Sequence, residues 1–169
     1  MSTQPAPQRR SYTWHDPRPT IEAVQELSGL EALQGIGKGT LSAPPAADTL
    51  AIELSEVEPG HAVFELVPAP WHYNMLGTVH GGILATLADN ALGSAVYSRL
   101  PAGTGYTTQG VNITFLRPVT AGTGRIRCEG TAVHIGRRTA YATATITDPG
   151  GKLLAHATTS CQIFQADSR

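Results

Sequence analysis

Residues 74–90 read NMLGTVHGGILATLADN. Gly81 and Gly82 follow His80 where a run of helix-compatible residues begins, and Asp89 stands eight residues beyond Gly81. Glycine is a poor helix former, so two in succession at a helix start need a reason. The first turn of a helix carries unpaired N–H groups and partial positive charge. Neither Gly81 nor Gly82 has a side chain to shield those groups, so a carbonyl oxygen can come close. A donor fixed there stabilises negative charge developing on that oxygen by roughly 3 kcal/mol. Asp89 offers a reacting acid. At 1.5 Å rise per residue it lies about 12 Å along the axis from Gly81, too far for both to act on one carbon atom. Two chains with antiparallel neighbouring helices remove that difficulty. A wheel at about 100° per residue sets Asp89 near Gly82 and Gly93, away from the main apolar arc, so it faces a different neighbour from the core.

The element that must hold these groups is a helix over 79–98. Ile83, Leu84, Leu87, Ala88, Ala91, Leu92, Ala95 and Val96 cover one broad face. Leu100-Pro101-Ala102-Gly103 ends it. Before it, TLAIELSEVEPGHAVFELVP alternates apolar and polar residues around Glu58-Pro59-Gly60, which predicts a hairpin. After it come four strand patterns: TTQGVNITFLRP, GTGRIRCEGTAVHI, TAYATATITD and KLLAHATTSCQIF. Gly136-Arg137-Arg138 and Pro149-Gly150-Gly151 make the later turns, with glycine expected at positive φ. The order β-β-α-β-β-β-β predicts an α+β fold, a curved antiparallel sheet of about six strands wrapped around one long central helix.

Residues 1–47 read as a loose leader, a short amphipathic helix and a linker, and 48–166 as the main domain. In TIEAVQELSGLEALQG (20–35), Ile21, Val24, Leu27, Leu30 and Leu33 recur at steps of three, as on a single helix. Thr20 is its expected cap. Ala23 stands where the acid of a capping box starting at Thr20 belongs, so no box is expected there. GIGKGTLSAPPAAD reads as linker.

The 169-residue chain has a net charge of -1, without the basic footprint of a nucleic-acid binder. No apolar run suits a signal peptide or a membrane span, so a cytoplasmic location is expected. The two cysteines have no metal-ligand spacing. His72 and His80 are eight apart with no cysteine nearby, so no metal site is expected.

The sequence resembles the hotdog-fold acyl-CoA thioesterases, in particular the PaaI-like group. The resemblance covers roughly 48–165 and rests on Asn74, Gly77-Thr78-Val79-His80-Gly81-Gly82, Asp89-Asn90 and Asn112-Ile113-Thr114-Phe115-Leu116-Arg117-Pro118. It implies hydrolysis of an aryl- or short-to-medium-chain acyl-CoA to free acid and CoA, with no cofactor beyond the CoA of the substrate. It implies dimers with two sites across the interface, and pairing of dimers into a homotetramer. Asp89 then attacks the thioester carbonyl or activates a water, the second being favoured. Gly81 supplies the oxyanion donor. By resemblance Asn74 holds the water or thioester, His80 orients the loop or the substrate, and Thr108 assists the acid, with Thr107 the neighbour one register away. Gly82 and Asn90 complete the substrate contacts. Arg117, Arg137 and Arg138 are candidates for the CoA phosphates, the turn pair ahead of Arg117. The leader and first helix carry no identifiable chemistry. Two rival readings are a hydratase or dehydratase of acyl thioesters on the same fold, and a non-catalytic acyl-CoA-binding protein.

Overall fold

The computed structural model describes residues 6–165. The first five residues of the leader and the domain end at 166 lie outside the described residues. Six strands form one antiparallel sheet in the order β1-β2-β4-β5-β6-β3. They are β1 (Ile52–Glu58), β2 (His61–Leu66), β3 (Thr104–Phe115), β4 (Ile126–Ile135), β5 (Thr139–Thr147) and β6 (Leu153–Gln165). The long helix, Gly81–Tyr97, lies across β4, β2, β5 and β3. It is the fourth helix, α4, after α1 (Arg18–Ala23), α2 (Gly29–Gly37) and α3 (Pro45–Leu50). Among the described residues no helix is long and apolar enough to cross a membrane.

The predicted wrap is observed, and its cause is the breadth of the apolar face of α4. Leu87, Ala88, Ala91, Leu92, Ala95 and Val96 are fully buried against Leu66, Ile126, Cys128 and Ile146 of the sheet. The helix sits low because Gly130 of β4 has no side chain. A Cβ there would lie 2.2 Å from the Ala91 carbonyl oxygen. Gly60 and Gly151 take positive φ in their turns as expected. Gly136 does not, and its amide instead donates to the Thr139 carbonyl at 2.8 Å.

The N-terminal segment departs from its sequence reading in three ways. First, the expected single helix over 20–35 is broken. α1 passes through a 3-10 turn at Val24–Glu26, and α2 starts afresh at Gly29. The break is set by a capping box eight residues after Thr20: Ser28 accepts from the Glu31 amide at 3.3 Å, and Glu31 accepts from the Ser28 amide at 2.8 Å. Gly29 is then pressed onto α4, its amide donating to the Leu100 carbonyl at 3.0 Å. A Cβ on Gly29 would meet the Tyr97 carbonyl oxygen at 1.8 Å. Second, the linker contains α3. Third, the leader is tied down. Arg10 donates to the Thr49 carbonyl at 2.6 Å and stacks 3.6 Å above the Trp71 ring.

Candidate active site

The chemistry-bearing residues fall into two groups on α4. At its head, His80 is the N-cap, and its Nδ1 accepts from the Gly82 amide at 2.9 Å. The amide of Gly82 is therefore occupied, contrary to its reading as a second bare donor. A histidine acceptor at the N-cap competes for the same N–H a ligand would need. Gly81 N–H makes no hydrogen bond among the described residues. It opens into a cleft of about 370 Å³ lined by Asn74, Thr78, Gly81, Phe115 and Arg117. The Phe115 ring covers Gly81 so closely that a Cβ would lie 3.0 Å from its Cζ.

Asn74 shapes the loop that leads into this head. Its Oδ1 accepts from the Leu76 amide at 2.8 Å and the Thr78 amide at 3.4 Å, and its Nδ2 donates to Thr78 Oγ1 at 3.1 Å. Arg117 is exposed on the cleft and donates to the Leu153 carbonyl. His72 is buried under this loop. It accepts from the Ala69 amide at Nδ1 and donates from Nε2 to the Leu50 carbonyl, a structural tautomer that burial favours by lowering the pKa.

Asp89 stands two turns along α4 in different surroundings. The Thr108 hydroxyl of β3 donates to Asp89 Oδ1 at 2.9 Å. The sequence assignment of Thr108 rather than Thr107 matches this contact, because Thr108 faces inward on the strand. Tyr106, two residues earlier on the same face, fills the space beside Gly93, where a Cβ would lie 2.3 Å from its hydroxyl. Burial, and then the Asp89 charge, push the Tyr106 phenol above the usual tyrosine range, so it stays protonated. Asp89 and Asn90 border a cavity of about 290 Å³ that also reaches Ser94, Tyr97 and Tyr106.

The cleft at Gly81 and the cavity at Asp89 share no lining residue. One chain thus brings together Asn74, Gly81 and Arg117, and separately Asp89, Asn90 and Thr108. Arg137 and Arg138 belong to neither. They are exposed in the β4–β5 turn and line a third cavity of about 390 Å³ with Phe164, toward the Thr104 end of β3. Sequence reasoning missed Tyr106, one of five tyrosines with nothing local to distinguish it. It also set aside the first helix, yet Ile21 and Val24 line the Asp89 cavity, as do Leu33 and Ile36 of α2. The step-of-three stripe was the signal, and its partner was not legible.

The thioesterase superfamily model matches residues 76–155, which include His80, Gly81, Asp89 and Thr108. Acyl-coenzyme A thioesterase 13 of Homo sapiens is 30% identical over 105 residues, 62% of this chain and 74% of the human protein. A phenylacetic acid degradation-related protein from Ralstonia eutropha JMP134 superposes with a TM-score of 0.70 at 27% identity, over 77% of this chain and 98% of that one. The E. coli PaaI protein shares the fold, with a TM-score of 0.70 at 23% identity over 81% and 96% of the two chains. With a bare helix head and a carboxylate on one long wrapped helix, and with these relatives, the chain belongs to the thioesterase superfamily and is a thioester hydrolase of the hotdog fold.

Proposed function

We propose that the protein hydrolyses acyl-CoA to a free acid and CoA at sites built from two subunits. The observation that carries this reading is the separation of the bare Gly81 amide from the Thr108-bonded Asp89 carboxylate into distinct cavities of one chain. In the mechanism, Asp89 of one subunit removes a proton from water. The resulting hydroxide adds to the thioester carbon. The carbonyl oxygen becomes an oxyanion held by Gly81 N–H of the other subunit. Collapse breaks the C–S bond, and the proton on Asp89 goes to the departing thiolate. The Thr108 hydroxyl holds one carboxylate oxygen, leaving the other for water. Asn74 and the His80 cap fix the loop and helix head that present Gly81. Arg137 and Arg138, with Arg117, are the candidates for the CoA phosphates, and no metal takes part.

The strand β3 supplies the means of pairing. It is twelve residues long and lies at the sheet edge, where among the described residues no strand pairs with its outer side, leaving that side to a second copy. A bulge at Gln109, between the paired Thr108 and Gly110, shifts which residues face inward. Counting that bulge, Asn112 is midway between Thr108, beside Asp89, and Phe115, beside Gly81. Antiparallel pairing of two copies about Asn112 sets each Thr108 opposite the other copy's Phe115, and so each Asp89 toward the other Gly81. Two such dimers form the expected tetramer.

Thiol release from a panel of acyl-CoA substrates tests the activity. Asp89→Asn is expected to lower kcat by about 10²–10⁴-fold with the assembly intact, the range for loss of a general base. Turnover of the purified variant at the wild-type rate, or hydration of enoyl-CoA without thiol release, overturns the reading. Oxidised Asn112→Cys is expected to run as a covalent dimer, since facing residues at a dyad come within disulfide reach.

A further inference from the structure

Beyond Asp89 and Asn90, the Asp89 cavity draws its walls from parts of the chain that the hydrolytic chemistry does not use. α4 contributes Asp89, Asn90 and Ser94. α1 and its 3-10 turn contribute Ile21 and Val24, α2 contributes Leu33 and Ile36, and β1 and β2 contribute Leu54 and Phe64. We propose that this cavity receives the acyl chain, and that the N-terminal helices form the wall that sets its length and favours an alkyl chain. The inference rests on the thioesterase reading for the identity of the ligand, and adds to it the class of acyl group.

Three observations carry it. Asp89 is the one charged side chain among the described lining residues, so an anionic acyl tip meets no cation there and would lose hydration beside a like charge. The wall opposite α4 is predominantly apolar, with Ile21, Val24, Leu33, Ile36 and Leu54, which suits an alkyl chain. The volume of about 290 Å³ is at the small end of ligand sites, which suits medium rather than long chains. The α2 part of the wall is fixed in place. Gly29 hydrogen-bonds to Leu100 at the end of α4, the Ser28–Glu31 box starts α2, and Leu33 is buried. Val24 is the best single probe. It is half-buried on the lining and lies outside the Gly81 and Asp89 groups.

The test separates acyl binding from hydrolysis. Non-hydrolysable thioether analogues of acetyl-, octanoyl- and dodecanoyl-CoA are titrated calorimetrically into the full chain, as wild type, Val24→Trp and Val24→Ala. Wild type is expected to bind the octanoyl analogue at least about tenfold more tightly than the acetyl one, since each buried methylene contributes. Val24→Trp is expected to erase that advantage with the acetyl analogue unchanged within about twofold. Val24→Ala, which needs no extra space, is expected to move the optimum toward dodecanoyl. If both variants keep the wild-type order of affinities, or weaken all analogues equally, the proposal is overturned. If chain-length-dependent binding responds to Val24 but no thioester is cleaved, the hydrolytic reading fails and the wall stands.

Discussion

The two ends of chemistry on α4 are made in different ways. At the helix head, everything required is local. His80 caps, Gly81 leaves its amide open, and Asn74 folds the approach, all within eight consecutive residues. At Asp89, one helix residue is surrounded by groups from far along the chain: Thr108 and Tyr106 from β3, and the α1–α2 segment from before the sheet. A backbone donor needs only a bare, correctly capped turn. A carboxylate and an apolar cavity need tertiary assembly.

That contrast can be broken most sharply at Gly81. Proline is favoured at the first helical position and lacks the N–H, His80 already has the extended conformation that precedes proline well, and the Phe115 ring, 3.0 Å from the place of a Cβ on Gly81, must shift slightly to admit it. Gly81→Pro is expected to keep the helix and to lower kcat by about 10²–10³-fold, as loss of one oxyanion donor does. Melting curves and thiol-release kinetics measure the two effects. Mixing Gly81→Pro chains with Asp89→Asn chains then tests where the halves meet. In a mixed dimer one composite site carries both defects and the other neither, so random exchange restores about a quarter of wild-type activity. Recovery absent after demonstrated subunit exchange places both groups in one chain's site.

The distal surroundings of Asp89 predict a smaller, structural effect. Gly29→Ala inserts a methyl against the Tyr97 carbonyl and is expected to cost about 1–3 kcal/mol of stability by overpacking. Because α2 must shift, affinity for an octanoyl analogue falls more than for an acetyl one. An unchanged melting point contradicts the close approach. The smallest effect belongs to Thr108→Val, which keeps the shape and removes the hydroxyl donated to Asp89. A loss of about tenfold in kcat, near 1.4 kcal/mol, is expected from one charge-assisted hydrogen bond. Unchanged kcat makes that contact incidental to turnover.

What the residue pattern made legible follows the same division. The strand alternation, the broad apolar face of α4 and the His80-Gly81-Gly82 head are periodic or contiguous signals, and they yielded the strands, the helix and their succession along the chain, while the order of strands within the sheet emerged only in the folded chain. The break at Ser28 went unread because the apolar steps of three continue through it, while the Ser28-x-x-Glu31 signature lay in the middle of the stripe. Tyr106 and the cavity wall were hidden for another reason. Their significance comes from the return of β3 and α2 to the side of α4, which no local spacing encodes. His80 is legible as a candidate, whereas its use of the Gly82 amide depends on how the imidazole turns back over the helix head.

The Gly29 clasp has a consequence for how such proteins diversify. The residues proposed to break the thioester bond and those proposed to measure the acyl group are far apart along the chain, joined at a contact with no room for a side chain. Grafting a different first forty-odd residues onto the sheet can therefore change substrate preference while leaving the reacting atoms untouched, provided the graft keeps a glycine where it meets the end of α4.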